Sequence, residues 1–142
     1  MIDTLKKFGL RATPQRMAIM ELLEGNTSHP SVEEIYQVLK PKYPSLSAAT
    51  VYNTLEALAK VGEIQEISID PQRRRFDPNP RPHCHFLCNQ CHKVFDLDIA
   101  LEDIPVPTHM GGFNINNFSL YLYGECEHCS SPSNAAKEFK TV

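Results

Sequence analysis

The hydrophobic period of this 142-residue chain changes near its middle. Up to about residue 60 the apolar positions recur at helical spacing, and beyond it they alternate or run together as in strands. Asp3 to Phe8 is a short amphipathic stretch ended by Gly9. Thr13 followed by Pro14 reads as an N-cap with proline at the first helical position. From there Met17, Met20 and Leu23 fall near one face, with Ile19 close by, and Gly25 stops the helix. Ser31-Val32-Glu33-Glu34 has the form of a capping box, and Val32, Ile35, Tyr36 and Leu39 make the stripe that follows, broken by Pro41 and Pro44. Ser47 caps a further helix that runs to Lys60 and closes at Gly62. Its apolar face is Ala48, Val51, Leu55, Leu58 and Ala59; its other face shows Ser47, Ala49, Thr50, Tyr52 and Asn53.

Period-two signals follow. Ile64, Glu66, Ile67 and Ile69 lie in one strand and Arg73 to Phe76 in a second, with Asp70-Pro71 as the turn. Helices followed by a hairpin describe a winged helix-turn-helix. Asp77 to Pro82 holds three prolines and reads as a linker. His85 to Cys88 and Val94 to Asp98 are short strands, Ile104 to Pro107 is loop, and Phe113 to Tyr123 alternates before ending in the apolar run Leu120 to Tyr123. The predicted class is α+β, with a winged-helix DNA-binding domain over residues 1–76, a hinge over 77–82, a second domain over 83–130 and a flexible tail over 131–142.

Composition narrows the function classes. Apolar residues make up 42% and charged residues 22%, as in an ordinary folded domain. The N-terminal residues lack the apolar core of a secretory signal, and no apolar run is long enough to cross a membrane. A cytoplasmic location is the expectation, and in a reducing compartment five cysteines favour metal or redox chemistry over disulfides. The net charge of −3 divides unevenly: residues 1–75 carry +1 and residues 76–142 carry −4. The acidic excess lies with most of the His and Cys, which suits cation binding, while DNA binding needs only a local basic face.

Two Cys-x-x-Cys units, Cys88/Cys91 and Cys126/Cys129, stand 34 residues apart. A tight turn aims both sulfurs of one unit the same way, so two units complete a closed tetrahedral shell suited to structural Zn²⁺. Two redox dithiols, two disulfides or a rubredoxin-like iron site share that spacing. A second constellation surrounds the fifth cysteine, Cys84. On a strand His83 and His85 point to one side; Asp77 and Asp96 flank them, and His29 lies far upstream. Imidazoles with carboxylates suit Fe²⁺, Mn²⁺ or Zn²⁺. Cys84 should point away from such an ion, either as a small buried residue or as a thiol-based redox input. His109 and His128 read as surface residues, with a further metal site as the sharper alternative.

Leu10-Arg11-Ala12-Thr13-Pro14-Gln15-Arg16, His29-Pro30, Ala49 to Leu55, Arg75-Phe76-Asp77, His83 to Cys91, Val94-Phe95-Asp96 and Tyr123 to Cys126 resemble, in the same order, the motifs of the ferric-uptake-regulator superfamily. The resemblance implies a winged-helix domain, an α/β dimerisation domain and a homodimer that binds an inverted-repeat operator when loaded with metal. It implies His29, Asp77, His83, His85 and Asp96 as the regulatory shell. Asp96 and the Asn53 of Val-Tyr-Asn resemble the peroxide-sensing branch. That branch implies Fe²⁺-catalysed oxidation of His29 and His83 by hydrogen peroxide, with Mn²⁺ repressing without reaction. The alternative is a repressor that reports occupancy by iron, manganese or zinc.

The helix from Ser47 is the expected recognition helix. Ala49, Thr50, Tyr52 and Asn53 are the candidates for the groove: Asn53 can pair with adenine, and Ala49 or Thr50 can meet a thymine methyl. Arg11, Arg16 and Lys60 are expected phosphate anchors, and Arg73-Arg74-Arg75 would form a basic wing. A metalloenzyme is the weakest reading, because no nucleophile–base pair stands out and a four-cysteine shell has no open position.

Overall fold

The computed structural model describes residues 2–130; the predicted tail over 131–142 lies outside the described residues. The chain forms two compact units, Met1–Arg81 and Pro82–Val142.

In the first unit, α1 (Ile2–Lys7), α2 (Pro14–Leu23), α3 (Val32–Leu39) and α4 (Ala48–Lys60) precede the strands β1 (Gln65–Ile67) and β2 (Arg75–Asp77). Local chemistry starts three of the helices. Thr13 Oγ1 accepts the Arg16 N–H at 3.3 Å, Ser31 Oγ accepts the Glu34 N–H at 3.1 Å, and Ser47 Oγ accepts the Thr50 N–H at 3.1 Å. Glu34 returns the bond to the Ser31 N–H at 3.4 Å, completing the capping box. Leu5, Ile19, Leu23, Ile35, Leu55 and Leu58 are fully buried where the helices meet, and Phe76 of β2 joins the same core. β1 and β2 pair antiparallel with Glu66 opposite Phe76. The Phe76 N–H also donates to Pro30 O at 3.0 Å, so β2 is held on its other edge by the segment leading into α3.

Three expectations are corrected here. Met17 is 38% exposed, because Ile19, Met20 and Leu23 set the buried face of α2. At 3.6 residues per turn Met17 stands roughly 110° from the centre of that face. Ala48 is exposed together with Ala49, since the buried positions of α4 begin at Val51. Asp77, placed in the linker because of the prolines after it, belongs to β2 and pairs with Gln65.

In the second unit, β3 (Cys84–Cys88) pairs antiparallel with β4 (Val94–Leu97). After a short 3₁₀ turn at Leu101–Asp103 come β5 (His109–Met110), β6 (Phe113–Asn114) and β7 (Tyr121–Gly124). The order of the larger sheet is β4-β3-β7, with β7 parallel to β3. β5 and β6 form a hairpin whose two-residue turn is Gly111 (φ 52°) and Gly112 (φ 82°). Positive φ at both central positions is what a type I′ turn requires, and glycine adopts it without a steric penalty. Within the alternating stretch Phe113 to Tyr123, residues 115–120 lie outside any strand. Its alternation reflects half-buried positions, not a continuous ladder.

Candidate metal centres

The four-cysteine cluster follows from the sheet. Cys88 ends β3, and a tight turn through Cys91 leads into β4, with the Cys88 N–H donating to Lys93 O at 3.0 Å. Parallel pairing sets Cys88 opposite Gly124, and the Asn89 N–H donates to Gly124 O at 2.7 Å. Cys126 follows two residues later, so the second Cys-x-x-Cys arrives beside the first. One sulfur from each of Cys88, Cys91, Cys126 and Cys129 lies within 4.8 Å of the others. No Cβ stands on Gly124 to crowd the join; one built there would meet the Phe86 ring at 3.4 Å.

The amides of the two turns are aimed at sulfur. Gln90, Cys91 and Cys126 donate backbone N–H groups to Cys88 Sγ at 3.4, 3.5 and 3.4 Å. Burial raises the Cys88 thiol, but the amides of Cys91, Cys126 and Gln90 outweigh it and bring it down to about 6. Hydrogen bonding to Cys126, then burial, push the Cys129 thiol up to about 12. The backbone amides thus favour a thiolate at Cys88, while four sulfurs this close oppose one another's ionisation. A shared cation removes that conflict, and an all-sulfur donor set fits a closed zinc shell.

The hard-donor residues fall into two groups, one in each unit. In the first unit His29 and Asp77 are buried, with Nε2 to Oδ2 at 3.3 Å. His29 sits just before Pro30 with φ 55°, and Asp77 Oδ1 accepts the Asn79 N–H at 2.8 Å. In the second unit the antiparallel register places Asp96 opposite His85, and His83 two residues earlier shares that face. His83 Nε2 lies 2.9 Å from Asp96 Oδ1 and His85 Nε2 lies 3.6 Å from it, with the two rings 4.2 Å apart. Each group combines imidazole with carboxylate, which fits a borderline divalent cation. Cys84 is fully buried between the two histidines, and burial raises its thiol. A thiol held protonated is a poor nucleophile, so its surroundings favour the packing role.

Among the residues considered for DNA, Ala49 and Asn53 are exposed on α4, and Thr50 and Tyr52 are half-buried. Arg11 is exposed; Arg16 Nη1 donates to Arg11 O at 2.9 Å, which draws its guanidinium back toward the chain. The basic wing is largely neutralised. Arg74 pairs with Glu66 and lies 4.9 Å over the Tyr52 ring; Arg73 pairs with Glu34 at 3.1 Å. Arg75 is buried and reaches Asp70 at 3.3 Å and Glu34 at 3.6 Å. Three adjacent arginines in a turn gave no signal of this, because their acidic partners are brought to them by the fold.

Comparison with known proteins gives one consistent result. The family model for the ferric uptake regulator family matches residues 7–123. The chain is 37% identical over 135 residues to the peroxide-responsive repressor PerR of Staphylococcus epidermidis, covering 94% of this chain and 90% of that protein. It is 36% identical over 135 residues to the peroxide operon regulator of Bacillus subtilis, covering 94% and 93%. Among solved structures it resembles the Campylobacter jejuni peroxide stress regulator, with a TM-score of 0.63 and 32% identity over 91% of this chain and 98% of that one.

Proposed function

Because the chain belongs to the ferric uptake regulator family, we propose that it is a metal-dependent repressor of operator DNA, released from it by hydrogen peroxide. The observation that carries this reading is the donor chemistry of the His29–Asp77 pair and the His83–His85–Asp96 trio, seen beside 36–37% identity to regulators of that response. The four-cysteine cluster takes structural Zn²⁺. The imidazole–carboxylate residues take a regulatory Fe²⁺ or Mn²⁺.

In this reading His29 and Asp77 of the first unit and His83, His85 and Asp96 of the second share one ion. The arrangement of units that lets all five reach it is favoured when metal is present, by the difference in affinity between arrangements. A homodimer held in that arrangement presents two α4 helices to successive major grooves. Ala49, Thr50, Tyr52 and Asn53 face the base edges, and Arg11 and Arg16 hold the phosphate backbone.

Fe²⁺ held by these residues would supply redox chemistry toward hydrogen peroxide; for each ring oxidised, one imidazole C–H and one H₂O₂ would give an oxygenated ring and one water. His29 and His83 are the acceptors of that oxygen. An oxidised ring is a weaker donor, so the five-residue set no longer holds together and the preference for the DNA-binding arrangement is lost. The protein responds once and does not turn over.

The test is operator binding by fluorescence anisotropy with metal-free, Mn²⁺-loaded and Fe²⁺-loaded protein, before and after a small excess of peroxide. Both metals should support binding, and peroxide should abolish it for the Fe²⁺ form alone. Retention of DNA by peroxide-treated Fe²⁺ protein would leave a simple reporter of metal occupancy.

A further inference from the structure

His29 has a backbone that its sequence disfavours. A residue before proline prefers extended conformations, and a side chain at positive φ is strained, yet His29 adopts φ 55° and is fully buried. Nothing in His29-Pro30 itself selects this state, so the surrounding fold must impose it.

The contacts identify what imposes it. Arg75 Nη1 donates to His29 O at 3.1 Å. The guanidinium is aimed by two carboxylates: its Nε donates to Asp70 Oδ2 at 3.3 Å, and its Nη1 lies 3.6 Å from Glu34 Oε1. The Arg75 backbone bridges Ser31, and its neighbour Phe76 donates to Pro30 O at 3.0 Å. Backbone and side chain of β2 therefore grip His29, Pro30 and Ser31 in turn. The result is the 3.3 Å approach of His29 Nε2 to Asp77, the last residue of β2.

We propose that Arg75 is a positioning residue for the metal ligand His29: its buried guanidinium, oriented by Asp70 and Glu34, fixes the left-handed backbone that presents the imidazole beside Asp77. This rests on the reading of His29 as a ligand. The guanidinium geometry is specific to the role, since a planar fork donates to one carboxylate and one carbonyl at once and still lies beside a second carboxylate, while a single ammonium has less reach. Asp70 lies at the turn of the hairpin and Glu34 in the first turn of α3, so the same guanidinium ties the wing and the start of α3 to the ligand.

The test uses the full chain with zinc in the cysteine site and compares wild type, Arg75→Gln, Arg75→Lys, Asp70→Asn and His29→Ala. NMR of the protein without regulatory metal reads the His29 backbone from its HN–Hα coupling and Cα and Cβ shifts. Dye competition reads Mn²⁺ affinity. In Arg75→Gln, His29 should relax to an extended conformation and Mn²⁺ affinity should fall by about tenfold or more, as for other residues that orient a metal ligand. Arg75→Lys should recover part of both, and Asp70→Asn should move both in the same direction by less. If Arg75→Gln does not fold, Asp70→Asn and Arg75→Lys decide. An unchanged His29 conformation or unchanged Mn²⁺ affinity in folded Arg75 variants, with His29→Ala weakened, overturns the role of Arg75 alone. Unchanged affinity in His29→Ala overturns the ligand reading itself, and the role of Arg75 with it.

Discussion

On the proposed zinc assignment of the four-cysteine cluster, removing the metal should unfold the second unit and spare the first. The buried side chains of the second unit, among the described residues, are Cys84, His85, Leu87, Cys88, Val94 and Cys126. Only Leu87 and Val94 are large aliphatics, and at roughly 1.5–3 kcal/mol each they contribute about 3–6 kcal/mol. A structural zinc in a small domain is worth about 10–16 kcal/mol, which exceeds that residual core. The ladder at risk is also expensive to close without help. β7 lies parallel to β3, and the intervening chain must be looped back before Cys88 and Gly124 can pair. The first unit has its own core around Ile19, Ile35, Leu55 and Phe76 and does not share this dependence. The assay is hydrogen exchange read by mass spectrometry, on wild type before and after a strong chelator and on Cys126→Ser, with metal content measured alongside. Amides of β3, β4 and β7 should lose protection while those of α2, α3 and α4 keep it. Protected β3 and β7 amides in protein shown to be metal-free would mean that the second unit folds without the metal.

Other predictions follow from individual contacts. Ile35→Ala, at a fully buried position of α3, should cost about 2–5 kcal/mol in a denaturant melt, whereas Val38→Ala on the same helix should stay within about 0.5 kcal/mol, because Val38 is 64% exposed. Burial pushes the Asp70 carboxyl up, but the Gln72 N–H and the Arg75 guanidinium together hold it below its ordinary value of 3.8. A depressed folded value means the stabilisation is present above that ordinary value and fades as pH falls through the depressed one. Asp70→Asn should therefore remove a part of the acid-side loss of stability, measured as the melting temperature between neutral pH and pH 3. Asn53→Arg should shift operator preference in a binding selection, and Asn53→Ala should cost about 1–3 kcal/mol on the preferred site only; equal losses on all sequences would remove Asn53 from base reading.

The helices were legible because their signals are local. Thr13, Ser31 and Ser47 each cap the helix they precede, and the bond each makes reaches only three residues ahead. The cysteine spacing was legible for the same reason, since each Cys-x-x-Cys is a single turn. What joins the two turns was not: the parallel pairing of β3 and β7 links segments far apart in the chain, and no periodicity records it. Asp77 was misplaced because Pro78, Pro80 and Pro82 dominate the local signal, while the ladder to Gln65 that claims it is formed at a distance. The partners of the arginine run were hidden for the same reason. Glu34, Asp70 and Glu66 convert a solvated basic wing into a set of ion pairs, and the buried member, Arg75, is the one whose role only the fold reveals.

In the proposed mechanism two particular imidazoles, those of His29 and His83, carry the response to peroxide. Fe²⁺-loaded protein is treated with a slight excess of hydrogen peroxide, digested and analysed by mass spectrometry, with Mn²⁺-loaded protein treated in parallel. The peptides holding His29 and His83 should each show a gain of one oxygen in the Fe²⁺ sample, in step with loss of operator binding, and none in the Mn²⁺ sample. Loss of DNA binding with both peptides unmodified, or full modification with DNA binding intact, would mean that these imidazoles do not carry the response.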